Sequence, residues 1–188
     1  MNRLHQFLLI GSFLPLCWLG MMAVHELGHV LAAWGTGGGV ERVILHPLSF
    51  SQTFVAPNPQ PMIVVWSGPL VGVTLPLLVW GVFYAARLPG AYLTRFFAGT
   101  CLIANGAYIG AGSLGRIGDA GDMLRMGTPM WVLWLFGLLT APAGMLLWNG
   151  LGRRFGLGEA RGRVDQRAAY VSASLLIATV ATMLLLSK

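Results

Sequence analysis

Long apolar blocks separated by short polar breaks dominate the chain, and this pattern constrains its fold more than any other feature. The blocks cover residues 6–34, 61–86, 94–112, 130–148 and 168–186. About 20 apolar residues in a helix cross the hydrocarbon core of a bilayer, and each block has about that length. Hydrophobic residues make up 56% of the 188 and charged residues only 10%, whereas a soluble domain usually carries about 25% charged residues on its surface. The expected fold is therefore an all-α polytopic membrane protein with about five transmembrane helices in one membrane-embedded domain, residues 1–188. The last two helices are expected over 130–150 and 168–187. Many of the 26 glycines lie inside the blocks, where small residues let helix backbones approach closely in lipid.

Arg3 precedes the first block, as in a signal peptide. The apolar run from Phe7 past Met22 is too long for a signal core, and the block reads as a retained span. It ends at Gly35-Thr36-Gly37-Gly38-Gly39. Residues 40–55 then form a β-prone stretch broken by Pro47, which is either a short hairpin between the first two spans or an apolar loop resting on the membrane.

The formal charge is +6. The arginines sit in the breaks between blocks, as topology determinants and head-group contacts do, and no nucleic-acid-binding module is present. Residues 151–167 form the clearly water-soluble stretch, with Arg153, Arg154, Arg161, Arg163 and Arg167 against Glu159 and Asp165. Cys17 and Cys101 lie inside apolar blocks without ligand spacing and read as small buried residues.

Chemistry concentrates in His25-Glu26-Leu27-Gly28-His29, near the C-terminal end of the first block. Helical positions i and i+4 share a face, so two imidazoles at this spacing can grip one Zn2+ ion while Glu26 accepts a proton from its water. Ionisable groups inside a span are costly and call for a compensating role. The bland alternative is interhelix hydrogen bonding. A zinc site needs a third protein ligand. His5 is about 30 Å away along the helix, and Glu159 and Asp165 belong to the arginine-rich loop. Asp119 and Asp122 follow the third block, and alternating spans bring them to the same membrane side as the histidines. One of these two is the expected third ligand, with His46 the competing candidate. As alternatives, Asp119 caps a short helix and Asp122 pairs with Arg125 or Arg116.

The chain resembles the site-2 protease family of intramembrane metalloproteases over roughly residues 6–127. The resemblance rests on His25-Glu26-Leu27-Gly28-His29 in a span, on Ser67-Gly68-Pro69-Leu70-Val71-Gly72 in the next, and on Asp119-Ala120-Gly121-Asp122-Met123-Leu124 after the third. It implies a three-helix core with a β-containing segment after the first helix. It further implies His25, His29 and Asp119 as zinc ligands and Glu26 as catalytic general base. The implied substrate is a transmembrane protein, an unwound strand of which would add to residues 40–55. Two features depart from the family pattern. The stretch 111–118 lacks the Asn-x-x-Pro sequence often found before the aspartate, and Ala120 replaces a glycine, so Asp122 stays open as the alternative ligand. Asn105 lies earlier, as an interhelix hydrogen-bonding group or an oxyanion donor.

The expected activity is zinc-dependent hydrolysis of peptide bonds in membrane-spanning substrates. The alternatives are a non-proteolytic zinc-binding scaffold of the same fold, or a small transporter, although no inverted repeat is evident. Compact loops suit a prokaryotic inner membrane. Five spans put the 151–167 loop on the side opposite the histidines, and the positive-inside rule puts that loop in the cytoplasm. The resemblance instead implies a site near the cytoplasmic side, so the two expectations conflict.

Overall fold

A computed structural model of the chain describes residues 3–186. The helix α1, Leu4–Gly35, runs unbroken through the first block. It ends in a hydrogen-bonded wrap around Gly37, whose φ of 77° suits glycine. The Gly38 N–H donates to the Ala33 carbonyl at 2.7 Å and the Gly37 N–H to that of Trp34 at 3.3 Å, satisfying carbonyls that a helix end leaves open. The chain then turns directly into β1, Val40–Ile44, which pairs antiparallel with β2, Gln52–Val55. The hairpin is thus present. Its register pairs Val43 with Thr53 and Ile44 with Gln52, with an irregularity between Val40 and Arg42. The Arg42 guanidinium lies over the Phe54 ring at 4.8 Å.

Pro61 opens α2, Pro61–Ala85, where its missing N–H leaves no helical bond unmade. Next come α3, Ala91–Gly115, the short α4, Gly118–Arg125, and α5, Met130–Trp148. Two 3-10 turns, Gly152–Phe155 and Gly158–Ala160, lead to α6, Gln166–Leu186. The expected final helix reached residue 187, which lies outside the described residues.

Among the described residues, four helices are long and apolar enough to cross a membrane: α1, α2, α5 and α6. The remaining expected block, 94–112, forms a helix that falls short of this apolarity. The block at 94–112 is a 25-residue helix, but Arg95, Asn105, Ser113 and several glycines lower its apolarity. The physical reason is its place in the bundle. α3 packs against α1, α2 and α5 and buries Cys101, Asn105, Gly106 and Ser113, so it need not be as apolar as a helix facing lipid on most sides. Its contact with α5 runs at backbone distance: a Cβ on Gly137 would lie 2.8 Å from the Gly106 carbonyl oxygen and 3.1 Å from the Gly110 Cα.

One apolar cluster, including Leu9, Phe13, Phe155 and Ala169, ties the start of α1 to the 3-10 segment and α6. Another, with Val65, Ile109, Met123 and Leu133, joins α2, α3, α4 and α5 at the opposite end. Cys17 and Cys101 are buried and free. The Gln6 amide donates to the Phe155 carbonyl at 3.1 Å. The arginine-rich loop therefore sits at the N-terminal end of α1, about 30 Å along that helix from His25. Arg3, Arg87, Arg95 and the five loop arginines share this end of the bundle, whereas Arg42, Arg116 and Arg125 lie at the other.

Candidate metal centre

His25 and His29 lie one turn apart on α1, and both are buried, as is Glu26 between them. α4 brings in the third group. It follows α3 through a tight reversal in which Arg116 and Gly118 both have a φ of 52°. This places Asp119 in the first turn of α4, where a carboxylate faces the positive end of the helix dipole. Its backbone N–H donates to the Tyr108 hydroxyl at 3.1 Å, and the Tyr108 ring packs edge-on against the His25 imidazole.

The three donor atoms converge. His25 Nε2 lies 2.8 Å from Asp119 Oδ2, His29 Nε2 lies 3.3 Å from the same oxygen, and the two Nε2 atoms are 3.2 Å apart. Their outer partners fix which atoms carry protons. The His29 Nδ1–H donates to the Val64 carbonyl at 2.8 Å, a group that can only accept. The Asn105 amide gives its N–H to the Cys101 carbonyl at 2.9 Å, which turns Oδ1 toward His25 Nδ1 at 2.7 Å. Both Nδ1 atoms are therefore donors, and in the neutral imidazoles both Nε2 atoms present lone pairs toward Asp119.

Three lone-pair donors facing one another need positive charge between them. Protons on the imidazoles are one source. Burial acts to raise the Asp119 carboxyl pKa, but the hydrogen bonds and charges of His25 and His29 outweigh it and hold it well below the usual carboxylate range. A small divalent cation is the other source, and the donor set fits one. Ligands about 2.05 Å from a tetrahedral ion sit about 3.3 Å from each other, close to the three separations observed. His25, His29 and Asp119 thus form a group able to hold a metal ion.

α2 is shaped around this group. A Cβ on Gly68 would come within 2.9 Å of His25 Nε2 and closer still to the His29 ring, and one on Gly72 would meet the Asn105 amide at 2.8 Å. Gly28 meets the α2 backbone at Ser67 and Gly68. The Ser67–Gly72 stretch therefore leaves room for both imidazoles and for the amide that orients one of them. Pro69 lacks the N–H that would bond the Val65 carbonyl, which loosens the helix next to the turn where Val64 accepts from His29.

The remaining sequence candidates lie elsewhere. Asp122 faces outward and pairs with Arg125, its side chain 49% exposed against 18% for Asp119. His46 stays in the hairpin loop, where its Nδ1 accepts from the Leu48 N–H at 3.2 Å. His5 bonds the Tyr170 hydroxyl at the far end. Asp119 caps nothing, because the residue preceding α4 is Ile117 and makes no side-chain bond. Asn105 is an interhelix hydrogen-bonding group, and its partner His25 is one of the three groups able to hold a metal ion.

Three contributors were missed in the sequence: Tyr108, Val64 and Thr53. The Val64 carbonyl carries no sequence signal, because every residue offers one. Thr53 on β2 donates its hydroxyl to Glu26 Oε2 at 2.6 Å. A polar residue in a β-prone stretch just after the histidine helix was its one available sign. No family model, curated protein or solved structure matches the chain, so the functional reading rests on the motifs and this geometry.

Proposed function

We propose that the chain is a zinc-dependent endopeptidase of the site-2 protease kind, acting on membrane-spanning protein substrates. The observation that carries this reading is the convergence of His25, His29 and Asp119 beside a buried Glu26, inside a bundle of apolar helices. Two imidazoles and a carboxylate at near-tetrahedral separation suit zinc. Zinc bound there supplies Lewis-acid polarisation of a peptide carbonyl and a water acidified to a pKa of about 7.

The chain's own groups supply the rest. Asn105 and Val64 hold the imidazoles in the ligating tautomer. Thr53 engages one oxygen of Glu26 and leaves the other to take a proton and return it to the leaving nitrogen. The strand carrying Thr53 supports a role for the hairpin in presenting substrate. Among the described residues β2 pairs only with β1, so its outer edge can take an extended strand by backbone hydrogen bonding. A substrate helix must unwind to reach it, because its carbonyls are otherwise paired.

The positions of the arginines bear on orientation. The basic end of the bundle is opposite the metal-binding group, and the positive-inside rule places that end in the cytoplasm. The proposed site then opens toward the other face of the membrane.

The test is cleavage of single-span substrates co-reconstituted with wild type and Glu26→Gln. The expected result is cleavage by wild type and none by the variant, with equal zinc content in both. Cleavage by Glu26→Gln at the wild-type rate would overturn the mechanism. Zinc-loaded wild type that cleaves no member of a broad substrate panel would favour the scaffold alternative.

A further inference from the structure

At the basic end, a cleft of about 540 Å³ opens between the α2–α3 connection and the arginine-rich loop. This is within the range of small-ligand sites, about 300–1,000 Å³. Arg153, Arg154 and Arg163 line it, with Asp165 as its single acid. Asp165 is already committed: its Oδ1 accepts from the Arg167 N–H at 2.9 Å and the Ala168 N–H at 3.4 Å, capping α6.

The arginines are far less engaged. Arg153 reaches Glu159 only at 3.7 Å, with both side chains exposed. Arg163 makes one long bond, from Nε to the Ala160 carbonyl at 3.4 Å. Arg154 rests over the Tyr92 ring at 6.0 Å. Each guanidinium offers five N–H donors, so most of this donor capacity faces the cleft or water. Tyr92, which also lines the cleft, has a buried hydroxyl with no hydrogen-bond partner among the described residues. The first turn of α3 borders the same space and carries neither an acidic residue nor a side-chain cap.

We propose that this cleft binds a phosphate group, presented by the headgroup of an anionic phospholipid or by a soluble phosphate. Planar guanidinium forks match phosphate oxygens in geometry and charge, and the Tyr92 hydroxyl supplies a further donor. Placement favours the lipid source. The cleft lies where α2 ends and α3 and α6 begin, at the level where spanning helices leave the hydrocarbon, and the positive-inside rule assigns this end to the leaflet rich in anionic lipid. The loop is held in place for binding: Gln6 bonds the Phe155 carbonyl, and Arg3 and Gln6 pack against Gly162. The site is independent of the metal-binding group and of any catalytic activity.

The test uses the full chain purified in maltoside detergent, with thermal unfolding followed on addition of phosphatidylglycerol, phosphatidylcholine or inorganic phosphate. Phosphatidylglycerol is expected to raise Tm by several degrees and phosphatidylcholine not to. The double variant Arg154→Gln/Arg163→Gln should lose the rise, and Arg161→Gln/Arg167→Gln, outside the cleft, should keep it. The same arginine-dependent rise with inorganic phosphate would support the site and assign a soluble source. No rise with either phosphate carrier, or equal loss in both double variants, would overturn the proposal. A circular dichroism spectrum and a lipid-free Tm equal to wild type show that the cleft variant is folded. Phosphorus co-purifying with it, expected to fall relative to wild type, gives a second readout, and an unchanged value counts against the site.

Discussion

Replacing Gly68 by alanine places a methyl group inside the proposed metal centre without substituting any ligand residue. The new Cβ would lie 2.9 Å from His25 Nε2 and nearer to the His29 ring, where ordinary contact needs 3.4–4 Å. The rings must yield by about half an ångström or more, against a tolerance in metal–ligand distance of about 0.2 Å. Neither escape route is free. If the imidazoles swing away, His25 leaves Asn105 and His29 leaves Val64. If α2 backs off, the Val64 carbonyl goes with it. Losing one such outer partner typically weakens metal binding about 10–100-fold. With both imidazoles affected, the expected loss is about 100-fold, or about 2.8 kcal/mol. The assay is competition for zinc against a chromophoric chelator, with purified wild type, Gly68→Ala and Gly81→Ala. Gly81 lies in the same helix with nothing near its missing Cβ, so its variant should bind zinc as wild type does. Unchanged zinc affinity in Gly68→Ala would refute the reasoning.

Asn105→Leu, which removes the acceptor facing His25 Nδ1, should weaken zinc binding about 10–100-fold in the same competition assay. Thr53→Val keeps the shape but removes the hydroxyl on Glu26. It should leave zinc content unchanged and lower the cleavage rate about tenfold, a fraction of the worth of a hydrogen bond to a charged group; an unchanged rate would make this bond incidental to the chemistry. Zinc retention should fall in acid, because ligation needs deprotonated groups. Retention that holds level to about pH 4 would contradict imidazole ligation.

The apolar blocks and the histidine motif were legible because each depends on local pattern. Block length gave α2 and α5 nearly to the residue, and His25 and His29 share a face by helical geometry alone. The hairpin stayed open against a membrane-lying loop until strand pairing was seen, since β-propensity reflects packing context more than backbone preference. Asp119 and Asp122 could not be separated in sequence. They lie three residues apart in one eight-residue helix, and only the direction of approach from α3 turns the first inward. The third block forms a full-length helix, and its polar and small residues mark a helix surrounded by others. The Ser67–Gly72 stretch was recognised as a motif, but its purpose lies in what Gly68 and Gly72 make room for, which no local pattern reveals. The conflict over sidedness turned on whether the third block spans the bundle. α3 does run its length, so the basic loop and the candidate metal centre lie at opposite ends.

The central claim is that His25, His29 and Asp119 together hold one metal ion. Metal analysis of the purified protein tests it most directly, with wild type beside His25→Ala, Asp119→Asn and Asp122→Asn. The account predicts one zinc per chain in wild type and in Asp122→Asn, and none in the other two. Wild type that retains no zinc when zinc is supplied, or a site lost with Asp122 and kept with Asp119→Asn, would contradict it.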